Sequence, residues 1–434
     1  MSATLLKSMC LDSSLRRALG QTISSTIVVM FRWSAFALLF VPALAQASGF
    51  ALTEQSASAV GRAGAVVASP QEPAAAWYNP AALAHMPGTN VAVGGLLSVP
   101  SSRFEPVVGA SVDSTQSLHL VPALYASRAL TDRLSLGLAI NVPFALQIDW
   151  PRGWVGQRWG LFTRLWALQI NPSLAWRLSE DWSVAAGLSA VRGSVDIVTG
   201  LLPEMGEGQV NLSGQTWGWG ANLAALWRPS PTFSAGLTYR RRVRLAFDGR
   251  ATFSPEKPDF GAVNQGASAV ITLPDLIVAG AQWRVRRDLT VAGEVGCTLW
   301  STFDRLAIDF EQPSMRVAAV ERGQHNPWSA RAAVEWNAPF ALVVRAGGSF
   351  DQSTATSQTL SPAGPDSQRI AGAAGVGYRL GAWGVDAAYM LATFLPATAT
   401  PPPVRADGYD PSQSPAGTYR SRAHIAGLTV SWRR

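Results

Sequence analysis

The 434-residue sequence predicts an all-β fold, a 14-stranded antiparallel transmembrane β-barrel. Three observations predict it. Apolar residues recur at every second position over stretches of about ten to sixteen residues, longer than soluble strands and long enough to cross a bilayer at a tilt. The connections between these stretches alternate between short turns and long polar or Pro/Gly-rich segments. Although 48% of the residues are hydrophobic and 15% charged, no run of 18 apolar residues occurs beyond the leader, because Ser, Thr, Gly, Asn or Arg interrupts every few positions.

The leader comes first. Residues 30–47, MFRWSAFALLFVPALAQA, hold one Arg, an apolar core from Phe36 to Leu44 and the small-x-small site Ala45-Gln46-Ala47, the form of a cleaved signal peptide. The core is too short for a membrane anchor. The expected mature start is near Ser48, with Met30 as the expected start codon.

Period two is legible in each strand. Trp182, Val184, Ala186, Leu188 and Ala190 alternate with Ser183, Gly187 and Ser189. Phe233, Ala235, Leu237 and Tyr239, then Val243, Leu245 and Phe247, oppose Ser234, Gly236, Thr238, Arg240, Arg242 and Arg244, with Arg241 the one misfit. Trp383 to Leu391 and Ala426 to Trp432 follow the same rule. By this alternation Arg240, Arg242, Arg244, Glu294, Arg331, Glu335, Arg345, Arg369, Arg379 and Asp386 are expected to face inward. Two readings of these charges stand: guanidinium groups that attract an anion, or an ion-pair network that fills the barrel.

Short turns fall at 130–133, 178–181, 228–231, 284–288, 337–339 and 380–382, and long loops at 100–116, 143–162, 199–214, 249–267, 301–326, 351–368 and 395–417. Six turns and seven loops join fourteen strands, and an even strand count with long loops on one side describes a bacterial outer-membrane barrel. Trp176, Trp182, Trp227, Phe233, Trp283, Trp336, Phe340, Trp383 and Trp432 gather at the turn ends, where an interfacial girdle lies. A secreted β-sandwich has no reason to confine long loops to alternate connections.

One stretch breaks the pattern. Ala74 to Leu83, AAAWYNPAAL, places Asn79 before Pro80 and good helix formers, the start of a short helix.

Charge and motifs exclude other functions. Removing the leader lowers the net charge from +7 to +4; Lys7 and Lys257 are the only lysines, and no like-charge block is longer than Arg240-Arg241-Arg242. Nucleic acid is therefore not an expected partner. Cys297 stands alone in the mature chain, so no internal disulfide is expected. Four scattered histidines, no GxSxG and no Cys/His cluster predict neither metal, cofactor nor catalysis. The glycines at 218 and 220 alternate with Trp as in a girdled strand, not a phosphate loop.

Several segments together resemble one family: SGFALTEQSASAVGRAGA at the mature start, Asn79-Pro80-Ala81, WVGQRWGLFTRLWALQINPSLAWRLSEDWSVAAGLSA, LWSTFDRL around Trp300, and RAGGSFDQS followed by PDSQRI. The resemblance is to the FadL/TodX outer-membrane transporters of long-chain fatty acids and other hydrophobic compounds, and it runs in order along the mature chain. It implies three domains: a leader (1–47), a hatch plugging a polar lumen (48–87) and a barrel (88–434). It also implies a monomer, set among outer-membrane lipid and lipopolysaccharide, that takes up fatty acids or aromatic hydrocarbons by facilitated diffusion.

Site residues follow from the same resemblance. Phe50 matches the aromatic that reaches a lumen pocket, and Asn79, Pro80 and Ala81 belong to the hatch. Two readings stand for Phe144, Trp150 and Trp154, with Trp159 and Phe162: an exposed apolar groove in an outer loop, or rings that pack the loop or anchor it at the lipid interface. The third strand is expected to kink at Gly137, Asn141 and Pro143, giving a lateral exit, since Pro cannot donate a ladder hydrogen bond. The chain departs from the family pattern by ending in Arg433-Arg434 after its last aromatic, Trp432. A structural or adhesive barrel, or a general porin, is the alternative.

Overall fold

The computed structural model describes residues 49–69, 72–201, 205–303, 305–312, 318–321, 325–400 and 415–434. The expected leader and signal peptide lie outside the described residues.

Period two becomes extended strand throughout. In chain order the staves are β1 (Thr89–Pro106), β2 (His119–Ala129), β3 (Leu134–Asp149), β4 (Phe162–Arg177) and β5 (Trp182–Gly200). Next come β6 (Gln209–Ser230), β7 in two parts (Phe233–Arg240 and Val243–Ser254) and β8 in two parts (Gln265–Leu273 and Asp275–Arg284). Then β9 combines Leu289–Leu299 with Arg305–Phe310, and β10 combines Ala318–Glu321 with Trp328–Asn337. The last four are β11 (Leu342–Asp351), β12 (Arg369–Leu380), β13 (Trp383–Phe394, then Ala397–Ala399) and β14 (Gly417–Arg433).

Each stave pairs antiparallel with the next, and β14 returns to β1 from Asn90↔Arg433 to Pro106↔Gly417. Closure joins the first and last staves, so the sheet has no free end strand, which is the condition for a sheet to span a bilayer. The six short turns fall where the alternation predicts them. The loop expected from Pro143 begins later, because β3 resumes pairing at Phe144 and continues to Asp149.

Trp176, Trp182, Trp227, Trp283, Trp336, Phe340 and Trp383 are exposed near the turn ends, and Trp182 stacks on Trp227 at 5.9 Å. These rings form the girdle the sequence predicts.

The segment before β1 carries helix α1 (Ala57–Gly61), helix α2 (Ala75–Tyr78) and a 3₁₀ helix, Pro80–His85. Asn79 caps the last of these: its side chain accepts from Ala81 N, and Pro80 stands at the first turn. The segment touches the wall on all sides. Ala57 N donates to Thr429 on β14, Val66 and Val67 N donate to Glu294 on β9, Ser183 on β5 donates to Ala81 O, and Tyr125 on β2 donates to Gln55 O. A stretch bound around the whole ring lies within it. The approach is close: a Cβ on Gly236 of β7 would lie 2.3 Å from Val67 O, so only glycine fits.

Alternation fails at one place, and the failure matters. Thr238 and Arg240 face inward, but after Arg241-Arg242 the buried residues of β7 are Val243, Leu245 and Phe247. Two unpaired residues shift the parity, so Arg242 and Arg244 are exposed on the outer face, contrary to the expected inward set. Arg241, the misfit in the sequence, marks the break.

Candidate functional site: two luminal layers

The lumen has a polar layer and an apolar layer. In the polar layer Arg369 bonds Glu54 at 3.0 Å and Asp351 at 2.8 Å, and Arg331 bonds Asp351 at 2.8 Å. Arg345 bonds Glu335 at 2.8 Å and Asp386 at 2.7 Å, and Arg379 bonds Asp386 at 2.9 Å. Arg62 of the N-terminal segment bonds Glu72 at 3.0 Å. These charges are buried with opposite charges beside them, as burial requires. The network joins segment to wall through Arg369 and Glu54.

Arg240 differs. Among the described residues no carboxylate pairs with it. Its guanidinium lies 3.6 Å from the centroid of the Trp77 ring, donates to Trp77 O, and donates to Asn171 Oδ1 at 3.3 Å. A guanidinium flat on an indole is held in place by cation–π attraction. Arg240 lines a cavity of about 70 Å³ whose other walls include Ala51, Leu52, Tyr78, Leu276 and Arg331. A smaller cavity of about 20 Å³ shares Trp77, Pro143, Arg240 and Leu276 and adds Phe144, Val191, Val243 and Leu273.

The apolar layer follows from the parity shift in β7. Leu245 and Phe247 pack with Phe144, Leu165, Val191, Ile271, Trp300 and Leu306 in one buried cluster, with Phe50 against it. Phe50 meets Trp300 at 4.5 Å and Phe144 at 6.1 Å, both edge to face. A further cavity of about 40 Å³ lies along Val195, Leu212, Phe247, Ala269, Leu306 and Ile308. The lumen is therefore not polar throughout: beyond the ion-pair layer it is lined by hydrocarbon.

The third strand breaks where Pro and Asn stand. Its ladder with β4 runs to Asn141↔Gln169 and resumes at Phe144↔Ala167, skipping Val142 and Pro143. Its ladder with β2 stops at Leu124↔Ile140, leaving His119 to Ala123 without partners on β3. The N-terminal segment takes that edge instead: Leu52 N donates to Pro143 O at 2.8 Å and Ala145 N donates to Phe50 O at 3.1 Å. Asn141 is fully buried and donates to Gln55 Oε1 at 3.0 Å. Gly137 is paired on both sides, to Ser127 and Ser173; its missing side chain makes room for Leu83.

The remaining candidates fall elsewhere. Trp150 and Trp154 are not on an exposed groove: they are 2% and 5% exposed, stacked at 4.5 Å, and packed with Phe104, Leu360 and Tyr419. Their indole N–H groups donate to Pro362 O and Gly160 O, so the pair holds the loops together. Asn79 is buried and donates to Val67 O at 2.7 Å and Ala225 O at 3.1 Å. With Pro80 and Ala81 it fixes the segment to the wall, away from the walls of both Arg240 cavities. Gln55 and Trp77 lie inside the stretches SGFALTEQSASAVGRAGA and AAAWYNPAAL, but nothing local to either stretch marks them individually.

Fold and lumen define a class: an outer-membrane β-barrel whose channel is filled by its own N-terminal segment. A family model described as outer membrane protein transport protein (OMPP1/FadL/TodX) matches residues 38–433. The chain belongs to that family, whose members are outer-membrane transport channels rather than enzymes. It is 25% identical over 395 residues to outer membrane protein P1 of Haemophilus influenzae, covering 80% of this chain and 85% of the relative. It is 23% identical over 320 residues to the long-chain fatty acid transport protein of Escherichia coli, covering 63% and 71%. A crystal structure of a Pseudomonas aeruginosa FadL homologue superposes with a TM-score of 0.79 at 17% identity, covering 89% of this chain and all of that one.

Proposed function

We propose that this protein takes up long-chain fatty acids or other hydrophobic compounds across the outer membrane by facilitated diffusion, through a barrel gated by its N-terminal segment and opened laterally at the break in β3. The observation that carries the reading is the adjacency of an apolar compartment, built from Phe50, Phe144, Leu245 and Trp300, to the guanidinium of Arg240, which has no carboxylate of its own. Hydrocarbon favours the compartment through loss of water-exposed apolar area. A carboxylate head favours Arg240, because a charge-assisted hydrogen bond to guanidinium is strong in a site of low polarity.

The route is physically continuous. Solute in the compartment lies against Phe50 and Phe144, the residues beside the β3 break. Displacing Phe50–Leu52 from the edge of β3 removes two backbone hydrogen bonds and uncovers the gap left by His119 to Ala123. An opening there faces lipid, so an apolar solute leaves without meeting water.

The experiment is uptake of radiolabelled oleate and of a labelled alkylbenzene by cells lacking their own transporter and carrying this one. Arg240→Met should lower oleate uptake about tenfold, the value of one charge-assisted hydrogen bond of about 1.5 kcal/mol, and leave the uncharged alkylbenzene within twofold. No uptake of either compound by the unaltered protein would reject transport; equal loss of both would reject Arg240 as the carboxylate partner.

A further inference from the structure

The wall has a second interruption. β6 and β7 pair from Asn222↔Arg240 toward the turn end and from Gln215↔Asp248 toward the loop end. Between these, residues 216–221 of β6 and 243–247 of β7 face each other with no ladder, although each strand keeps its other neighbour. The register sum changes by one across the gap, which is the same irregularity that shifts the parity of β7.

The gap is built into the sequence. Arg241 N donates to Ala221 O at 2.8 Å and closes the lower ladder. Asp275, 2% exposed, then accepts from Arg242 N at 3.1 Å, from Arg242 Nε at 2.8 Å and from the Tyr239 hydroxyl at 2.7 Å, pinning the break from the neighbouring stave. Pro274 interrupts β8 at the same level, between Leu273↔Val243 and Leu276↔Arg240. Across the seam Gly218 and Gly220 offer no side chain, and Val243 and Leu245 lie over them: a Cβ at Gly218 would come within 2.6 Å of Val243 Cγ1 and 2.8 Å of Leu245 Cδ2. Outside, Trp217 and Trp219 are exposed, the position of rings at a membrane interface.

The two interruptions are related by register. Asn141 pairs with Gln169, Gln169 with Val191, and Val191 with Gly218. One ladder line thus runs from the β3 break to the β6–β7 seam: above it β3 has no ladder to β2, and at it β6 has no ladder to β7 over residues 216–221. Val243 and Leu245, which seal the seam, belong to the same apolar cluster as Phe144.

We infer that the β6–β7 seam is a second lateral portal, through which alkyl or aryl hydrocarbon passes between the apolar compartment and the outer leaflet. This deepens the transport reading above and rests on it. Above the Arg241–Ala221 hydrogen bond no ladder pairing holds β6 to β7 in the seam, which Val243 and Leu245 close by lying over the glycines. In a membrane wall, unpaired backbone is otherwise avoided.

The test is a disulfide across the seam, Gly218→Cys with Val243→Cys in a Cys297→Ser background, in the full-length protein. Oxidation should lower labelled alkylbenzene uptake at least fivefold, and reductant should restore it; uptake unchanged by verified oxidation overturns the portal. A readout independent of transport uses nanodiscs containing a photoreactive alkyl diazirine. Insertion at Val243 and Leu245, increased by Leu245→Ala and lost on oxidation of the Cys pair, supports the portal. Insertion confined to outward rings such as Trp217 and Trp219 overturns it. Should the reduced protein move no alkylbenzene, the transport reading falls while the photolabelling still decides whether the seam admits hydrocarbon.

Discussion

Asn141 on the wall donates its side-chain amide to Gln55 of the N-terminal segment at 3.0 Å, and Gln55 returns a hydrogen bond to Val142 O at 2.9 Å. This pair joins the break in β3 to the segment that fills the lumen. Gln55 is also held by its backbone, which donates to the Tyr78 hydroxyl at 2.8 Å and accepts from Tyr125. One buried amide thus ties the segment to the broken edge of β3.

Replacing Gln55 by Leu keeps the volume and removes the amide. The Asn141 amide and Val142 carbonyl then lose buried partners, at a cost of about 1–3 kcal/mol each. The expected outcome is a lower urea midpoint for the folded barrel and faster proteolysis of the N-terminal segment. An unchanged midpoint and cleavage rate would show that Gln55 does not tether the segment.

Arg369 ties the ion network to the segment, because it contacts both Glu54 of the segment and Asp351 of the wall. Arg369→Met strands the buried Glu54 carboxylate and leaves Asp351 with Arg331 alone, and breaking one partner of a buried pair costs roughly 3–5 kcal/mol. Hydrogen exchange should rise across the first described residues, 49–56, while the staves β2 to β6 stay protected. Exchange confined to the loops would contradict the assignment.

Asp366 gives a pH dependence outside the membrane span. Burial pushes its carboxyl above the usual range despite hydrogen bonds from Thr354, Ser353 and the Gly49 backbone. A raised folded-state value means that the stabilisation is fully present below the ordinary carboxyl range and is lost as pH rises through the raised value. Protection of the loop at 352–366 should therefore be greater at pH 4 than at pH 7. Asp366→Asn, which stays neutral, should show no such difference; a variant with the same pH dependence as the parent would exclude Asp366 as its source.

Phe144→Ala removes a ring from the cluster that contains Trp300 and Leu245. Such a truncation costs about 3–5 kcal/mol when the site cannot collapse. Uptake of oleate and of alkylbenzene should fall together, in contrast to the selective loss at Arg240. A stable variant with full uptake of both would remove the compartment from the route.

Much of the wall is legible because period two is a direct consequence of the pleat: turns at 130–133 and 380–382, the girdle and the strand count all follow from it. What escapes are places where local rules yield to distant partners. The shift after Arg241-Arg242 turns Val243, Leu245 and Phe247 inward, and a single misfit was its only trace. Trp150 and Trp154 read equally as a groove or as loop packing, and the partner that buries them, Tyr419, lies more than 260 positions away. Phe50 was found through resemblance, whereas its pairing with β3 depends on a backbone edge that composition cannot show. That no carboxylate among the described residues pairs with Arg240 emerges only from the three-dimensional placement of the luminal acids.

On the proposed route the segment from Gly49 to Pro87 occludes the barrel, so that apolar solute passes while ions do not. Planar-bilayer recording of the intact, purified protein tests it most directly. No steady conductance of porin size is expected from protein that supports oleate uptake in cells. A large and persistent ion current through the same preparation would contradict it.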